Sequence, residues 1–198
     1  MILAMRPLPY VWPYALIFWA VFLWAFWPEF GIVRRARRDQ TASDSKSLQV
    51  IILGQSIAFF AAFPLAWVPA LQFPPAYRLA AFYTGVAMLV AGSLLRRHCW
   101  RMLGSSFTGD VRARADQAVV DRGAYRILRH PAYTAGIILN AAVGVAMGSW
   151  MSALLLAIAS TVVYLYRIAV EERTLLAVIG EPYRQFMTTR KRLIPFLY

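Results

Sequence analysis

Two charged clusters stand beside apolar runs in the second half of the chain. Residues 129–133, Arg-His-Pro-Ala-Tyr, come directly before one apolar run, and Arg167, Glu171 and Glu172 close the next. Ionisable groups near hydrocarbon are costly and usually face a cavity or a partner. Because only the short turn at residues 148–150 joins the two runs, we expect an antiparallel helical hairpin whose charged ends meet at one membrane surface. That meeting point is the candidate active site.

The first cluster has the features of a helix start. Pro131 fits the first turn of a helix, where its missing N–H has no intrahelical partner to lose, so His130 is expected at or near the cap. A helix N-terminus offers unpaired N–H groups and a partial positive charge, to which Arg126 and Arg129 add, and this suits a carboxylate or phosphate. Tyr133 lies three residues after His130 and shares its face. A capping histidine beside an interfacial tyrosine is also a common structural arrangement, so the residues alone leave both interpretations open.

The second cluster contains two adjacent acids. Arg167 and Glu171 are four residues apart and can pair on a helix, whereas Glu172 points about a quarter-turn away. One acid is therefore expected to be structural, and the other to face the connector arginines, a bound cation or a substrate amine. A solvated helix end that carries both acids is the alternative.

The composition is that of a membrane protein. The 198 residues are 60% hydrophobic and 15% charged, far more apolar than an ordinary soluble domain, and the apolar blocks have about the 17 to 25 residues that a spanning helix needs. We predict an all-α, polytopic integral membrane protein with about five transmembrane helices in a single membrane domain, residues 1–198. The predicted spans are residues 14–33, 48–71 with a kink at Pro64, 77–95, 132–148 and 149–170. Residues 96–131 and 171–198 are predicted to be cytosolic.

The net charge of +12 is explained by topology rather than by nucleic-acid binding. Basic residues follow the first and third spans and fill the tail, and only Arg6 and Arg78 lie on the opposite side. The positive-inside rule then places the N-terminus outside and the C-terminus in the cytoplasm. The run at residues 34–38 is interpreted as a topology anchor against anionic lipid, with no nucleic-acid partner. With Cys99 as the single cysteine and two histidines, we expect no intrachain disulfide and no metal site.

Two polar segments flank the predicted hairpin. The connector of about thirty residues before His130 is long for a structureless loop, which indicates order or function. The tail from Gly180 mixes turn formers, aromatic residues and basic residues. It is either an amphipathic segment on the cytoplasmic surface or a cover over a bound cofactor, and the sequence leaves both possibilities open.

These motifs, in this order, resemble the integral-membrane isoprenylcysteine carboxyl methyltransferase family, which is related to the phospholipid N-methyltransferases. The resemblance covers roughly the second half of the chain, and it is carried by the ordered set rather than by any one motif. The matching positions are residues 103–104, 107–108, 123–126 and 129–133, then Arg167, Glu171, Glu172, Leu175, Gly180, Tyr183 and residues 192–195.

The resemblance implies S-adenosyl-L-methionine as methyl donor, held at the cytoplasmic side by the last two helices, the connector and the tail. The implied donor-binding residues are Tyr125, Arg129, His130, Tyr133, Glu172 and Tyr183, with Arg129, His130 and Tyr133 at the methionine end and the other two tyrosines beside the nucleoside. The implied catalytic residues are Arg167, Glu171 and Glu172.

Three positions depart from the family pattern. Ala124 stands where the family often has proline, and Phe186 stands where a second tyrosine is common. Ala135 takes the usual place of a glycine, with Gly136 one residue later. The first and last of these changes are expected to alter the entry into the helix, and Phe186 removes a hydroxyl group.

The predicted activity is S-adenosylmethionine-dependent methylation of a lipophilic or membrane-associated acceptor, with an isoprenylcysteine-like carboxylate favoured. Three alternatives stay open: a phospholipid or small-amine N-methyltransferase, a nicotinamide-dependent membrane reductase with a similar His-Pro-x-Tyr motif, and a non-enzymatic membrane protein such as a transporter. A transporter would place ionisable groups near mid-span, and the apolar blocks contain almost none. The sequence predicts no oligomeric state.

Overall fold

The protein is all-α, as predicted. A computed structural model describes residues 6–38, 45–104 and 119–194. The helices of this part of the chain are α1 (Tyr14–Arg38), α2 (Ser45–Leu65), α3 (Arg78–Leu103), α4 (Pro131–Ala146), α5 (Trp150–Val178) and α6 (Glu181–Thr189). Short 3-10 helices lie at Leu8–Tyr10, Pro69–Leu71, Pro75–Tyr77 and Gly123–Arg126.

Among the described residues, four helical segments are long and apolar enough to cross a membrane, judged by length and composition. They are Tyr14–Gly31, Ser47–Leu65, Pro75–Leu103 and Trp150–Val178. Helix α4 is apolar too, but its 16 residues fall short of the roughly 20 that span a hydrocarbon core. The integral-membrane class is therefore supported, while the fourth predicted span, residues 132–148, stays a prediction.

The helix ends differ from the predicted span ends for local reasons. Helix α2 stops at Leu65 rather than at residue 71, because Pro64 lies in its last turn and Val68 precedes Pro69. A residue before proline is driven out of the helical region, and Val68 is extended, with φ −81° and ψ 114°. Helices α3 and α5 run eight residues beyond their predicted spans. Their polar ends are still good helix formers, and a count of apolar residues does not detect this continuation.

Helices α4 and α5 form the predicted antiparallel hairpin. Gly148, in the turn, has φ +77°, a left-handed conformation that favours glycine. Ser149 then caps α5, since its side-chain oxygen accepts a hydrogen bond from the Ser152 backbone N–H at 3.1 Å. The turn thus fixes how the two helices return to the same end of the bundle.

Small residues allow α4 to approach both of its neighbours closely. A Cβ atom added to Gly85 on α3 would lie 2.2 Å from the backbone nitrogen of Ala146, and one added to Gly144 would lie 2.1 Å from that of Ala153 on α5. Such contacts tolerate only glycine and let helix backbones meet. Helix α4 is therefore held between α3 and α5, and this fixes the position of its first turn.

The remaining contacts define the direction of each helix. Helix α1 runs parallel to α3, since Ser93 donates to the Ala25 carbonyl at 3.1 Å and Glu29 pairs with Arg96 further along. Helix α2 runs antiparallel to α5, since the Ser152 hydroxyl donates to the Ala62 carbonyl at 2.7 Å. We call the end where α4 begins the site end, and the end that holds the turn at residues 148–150 the turn end.

Candidate functional site

A buried carboxylate forms the centre of the site end. Glu172 is 5% exposed, and its Oε1 atom lies 3.1 Å from His130 Nε2 and 3.0 Å from Arg129 Nη1. Its Oε2 atom lies 3.0 Å from Arg192 Nη2. The imidazole and one acid of the hairpin therefore meet in one cluster, and Glu172 links helix α5 to the entry of α4 and to the tail.

The start of α4 sets the direction of the histidine. His130 is the N-cap residue and Pro131 the first helical residue, as predicted. The His130 side chain makes no capping hydrogen bond; its backbone carbonyl instead accepts from Tyr133 and Thr134 at 3.1 and 3.3 Å. The imidazole is therefore available to donate a hydrogen bond to Glu172.

The tail lies along the residues that lead into α4. We call residues 190–193 the tail segment, and it is bound mainly through main-chain groups. Its carbonyl groups at Lys191, Arg192 and Leu193 accept from the Arg129 N–H at 2.8 Å, the His130 N–H at 3.2 Å and the Thr134 hydroxyl at 2.7 Å, respectively. Arg190 pairs with Asp121 at 2.6 Å. The tail thus packs on the connector, beside the Glu172 cluster.

Glu171 belongs to a second cluster with different partners. Its Oε2 atom accepts a hydrogen bond from the Tyr133 hydroxyl at 2.8 Å. Arg167 is 4% exposed, donates to the Ser47 hydroxyl on α2 and lies beside Tyr133. Glu172, not Glu171, is therefore the acid that faces the connector arginine. The predicted pairing of Arg167 with Glu171 stays a prediction.

Two buried tyrosines lie on the segments that enclose the site end. Tyr125 belongs to the 3-10 helix of the connector and Tyr183 to α6, and they are 5% and 4% exposed. Burial raises the pKa of both phenols above its usual value, and the negative charges of Glu171 and Glu172 act in the same direction on the pKa of Tyr183. Both hydroxyl groups are therefore neutral at physiological pH and can donate hydrogen bonds.

Arg96 supports the site, although its place in the sequence predicted only a position in the cytosolic connector. It lies in α3, pairs with Glu29 on α1 and donates from Nη1 to the Ala132 carbonyl in the first turn of α4 at 2.6 Å. The guanidinium also lies 5.0 Å from the centre of the Trp100 ring. In the sequence, the pair of Arg96 with Glu29 could have been found from Glu29, the lone acid at the end of the first apolar block. An acid at that depth needs a cationic partner.

The departures from the family pattern have local explanations. Ala135 is fully buried, and the close approach falls on Gly136, where an added Cβ would lie 2.8 Å from the Tyr164 hydroxyl. Phe186 is buried with its ring 5.2 Å from the Arg190 guanidinium. Ala124 lies within the connector's 3-10 helix, and its carbonyl accepts from Leu128 at 3.1 Å. Ala135 and Phe186 are thus closely packed, whereas Ala124 is half-buried.

Fold and site together define a class: an integral-membrane helical bundle with a buried acid, imidazole and guanidinium cluster at one end. The model of the isoprenylcysteine carboxyl methyltransferase family matches residues 85–177. This match places that region of the chain in the family, in agreement with the motif resemblance.

Known proteins support the same family. Protein-S-isoprenylcysteine O-methyltransferases B and A of Arabidopsis thaliana are 28% and 26% identical to this chain over 115 residues, which are 57% of this chain and 58% of each relative. The chain thus matches little more than half the length of these relatives. A solved structure of the eukaryotic intramembrane Ras methyltransferase, an isoprenylcysteine carboxyl methyltransferase, superposes with a TM-score of 0.61 at 24% identity. That match covers 72% of this chain and 52% of the other, and it shows a shared fold.

Proposed function

We propose that the protein transfers a methyl group from S-adenosyl-L-methionine to a lipophilic or membrane-associated acceptor, with an isoprenylcysteine-like carboxylate as the favoured acceptor. The observation that carries this proposal is the buried cluster around Glu172, which joins the first turn of α4, the end of α5 and the tail. The names of the two plant relatives support the reaction class.

The residues of the cluster fit the methyl donor. Arg129 Nε is buried and has no hydrogen-bond partner among the described residues, and a buried donor of this kind requires an acceptor. The carboxylate of the donor's methionine part supplies one, while the Glu172 carboxylate suits its ammonium group. We propose that Arg129, His130, Tyr133 and Glu172 hold the methionine part, and that Tyr125 and Tyr183 flank the nucleoside. When bound, S-adenosylmethionine supplies an electrophilic methyl group on a positively charged sulfur.

The protein's own task in such a displacement is to position two molecules and to exclude water. His130 and Arg129 orient the Glu172 carboxylate, and the tail segment covers this cluster. In the second cluster, the buried Arg167 guanidinium is proposed to orient the acceptor's carboxylate, while Glu171 fixes the Tyr133 hydroxyl beside it. An ionised carboxylate needs no general base, so no proton transfer is assigned to either acid.

The proposed topology follows the distribution of basic residues. The N-terminus is placed outside, and the C-terminus and the donor site in the cytoplasm. Residues 1–198 form one membrane domain, with residues 96–131 and 171–198 contributing donor-binding groups. The soluble donor then enters from the cytosol and the apolar acceptor from the lipid. A reporter that is labelled only outside the cell, attached at the N-terminus, tests this orientation, and labelling at the C-terminus instead would reverse it.

The proposed reaction is tested by incubating the detergent-purified protein with methyl-labelled donor and separate acceptors. The acceptors are an S-farnesylcysteine derivative with a free carboxylate, its methyl ester, and phosphatidylethanolamine. We expect label in a base-labile ester of the first acceptor, and none with the blocked ester. Label in the phospholipid alone would show that the acceptor is an amine and not a carboxylate. Absence of transfer to all three acceptors would reject the proposal.

A further inference from the structure

We propose that the turn end carries a second binding site, for the phosphate of an anionic phospholipid, built on Arg6 and Arg78. A cavity of about 160 Å³ opens there, lined by both arginines, Gln72, Met147 and Gly148 among others. It lies at the opposite end of the bundle from Glu172 and takes no part in the proposed methyl transfer.

The charge distribution makes this cavity unusual. Among the basic residues that the structure describes, Arg6 and Arg78 are the two that belong to the turn end, and both line the same cavity. The described acids, Glu29, Asp121, Glu171, Glu172 and Glu181, belong to the site end or to the helix and connector beside it. The other acids, at residues 39, 44, 110 and 116, lie outside the described residues, in segments that follow the site ends of α1 and α3. The cavity thus concentrates positive charge that no described carboxylate balances.

The local geometry holds one guanidinium in place. Arg78 Nη2 donates to the Arg6 carbonyl, which ties the start of α3 to the segment before α1. The Phe73 N–H donates to the Gly148 carbonyl at 2.8 Å and joins the hairpin turn to the same wall. Because a guanidinium carries five N–H donors, Arg78 keeps donors for a ligand after this contact. Two arginines at one cavity are well suited to a phosphate, which accepts paired, charge-assisted hydrogen bonds.

The surroundings favour a lipid phosphate over a free anion. Trp67, Tyr77 and Trp150 surround this end of the bundle and are 44%, 62% and 40% exposed. Exposed tryptophan and tyrosine side chains favour the headgroup level of a membrane, so the cavity lies at the depth of lipid phosphates. Basic pockets between membrane helices bind anionic headgroups on the cytoplasmic side, and we propose the same recognition in the outer leaflet, where the proposed topology places the turn end.

Lipid titration into the full-length, detergent-purified protein tests the proposal. The probes are dioctanoyl phosphatidylglycerol, dioctanoyl phosphatidylcholine and sodium phosphate, with binding followed by microscale thermophoresis. We expect a preference for phosphatidylglycerol, and the Arg6→Gln/Arg78→Gln variant should lower its affinity about tenfold through loss of two charge-assisted contacts. The matched control Arg184→Gln removes an exposed charge at the site end and should change the affinity less than about twofold.

Three results would overturn the proposal. Equal affinity for the two lipids would show that the cavity does not select the anionic headgroup. Unchanged phosphatidylglycerol affinity in the double variant would show that the two arginines do not bind the lipid. Displacement of the lipid by millimolar inorganic phosphate would identify a free anion as the ligand. If the double variant does not purify as a folded protein, Arg6→Gln alone is used, because Arg6 is exposed. The expected loss is then about threefold, and no loss would again reject the site.

Discussion

Glu171 and Glu172 are adjacent in the chain, yet they bind different parts of the molecule. Glu172 is buried and faces two guanidinium groups, from the connector and the tail, and the imidazole at the cap of α4. Glu171 is half-buried and accepts the hydroxyl of Tyr133, next to Arg167 and helix α2. Neighbouring residues on a helix point about 100° apart, so two consecutive acids can serve two clusters. We propose that Glu172 holds the methyl donor, while Glu171 lies beside Arg167, the proposed acceptor-binding residue.

The largest effect is expected for Glu172→Gln. This change leaves several cations without their carboxylate, and removing one partner of a buried ion pair costs about 3 to 5 kcal/mol. We expect donor affinity to fall by about 100-fold or more and thermal stability to decrease, as measured by calorimetry and by thermal unfolding. Glu181→Gln is the control, since Glu181 is 65% exposed in a surface pair with Arg184. Equal behaviour of the two variants would show that Glu172 is not the centre of the site.

Glu171→Gln sharpens the comparison between the acids. The amide oxygen can still accept the Tyr133 hydroxyl, while the negative charge beside Arg167 is lost. Donor affinity should stay within about twofold of the wild type, and kcat/KM for the acceptor should fall about tenfold. Steady-state kinetics with separate titration of donor and acceptor measure both quantities. A loss of donor affinity as large as that of Glu172→Gln would show that both clusters belong to one donor site.

Tyr133→Phe removes one hydrogen bond and keeps the ring. The bond to Glu171 is 2.8 Å long and involves a charged acceptor, and such bonds contribute about 1.5 to 3 kcal/mol. Part of this is recovered when Glu171 contacts water, so we expect the affinity for the donor, which Tyr133 is proposed to hold, to fall about fivefold. Tyr83→Phe, at an exposed position of α3, is the matched control. A decrease in kcat/KM for the acceptor without a loss of donor affinity would remove Tyr133 from the proposed donor site.

The smallest effect is expected where the tail is anchored at the surface. Arg190 and Asp121 form a pair at 2.6 Å in which the Asp121 side chain is 47% exposed, and exposed pairs contribute about 1 kcal/mol or less. Arg190→Gln should raise the KM for the donor about twofold by loosening the tail segment. A double-mutant cycle with Asp121→Asn checks that the effect belongs to this pair. Additive losses would show that the pair does not couple the tail to the connector.

Much of the fold follows from local patterns. Long apolar runs predicted the helical membrane bundle, and the short turn before Trp150 predicted the α4 and α5 hairpin with its charged ends together. The helix ends were harder to predict from the sequence. Helix α2, for example, ends before Val68, whose backbone is extended because it precedes Pro69. In α3 and α5, helical structure continues into polar sequence. The predicted polar connector therefore begins with the last turns of α3.

For the candidate site, the sequence predicted that the charged ends of the hairpin meet, but not which side chains pair there. The order of the motifs predicted that His130 and the two acids lie at the same end of the hairpin. That Glu172 faces His130 is seen only in the packing of α5. The pairing of the tail with the entry to α4 depends on main-chain hydrogen bonds between segments about 60 residues apart, which carry no side-chain pattern. Arg96 and Glu29 likewise meet through the packing of α1 on α3.

Calorimetric titration of S-adenosylhomocysteine, the demethylated donor, into the detergent-purified protein tests the central claim most directly. The wild type is expected to bind, and His130→Ala and Glu172→Ala are each expected to bind at least about tenfold more weakly while they retain the helical circular dichroism of the wild type. Absence of binding to the wild type at high micromolar concentration, or unchanged affinity in both variants, would contradict the account.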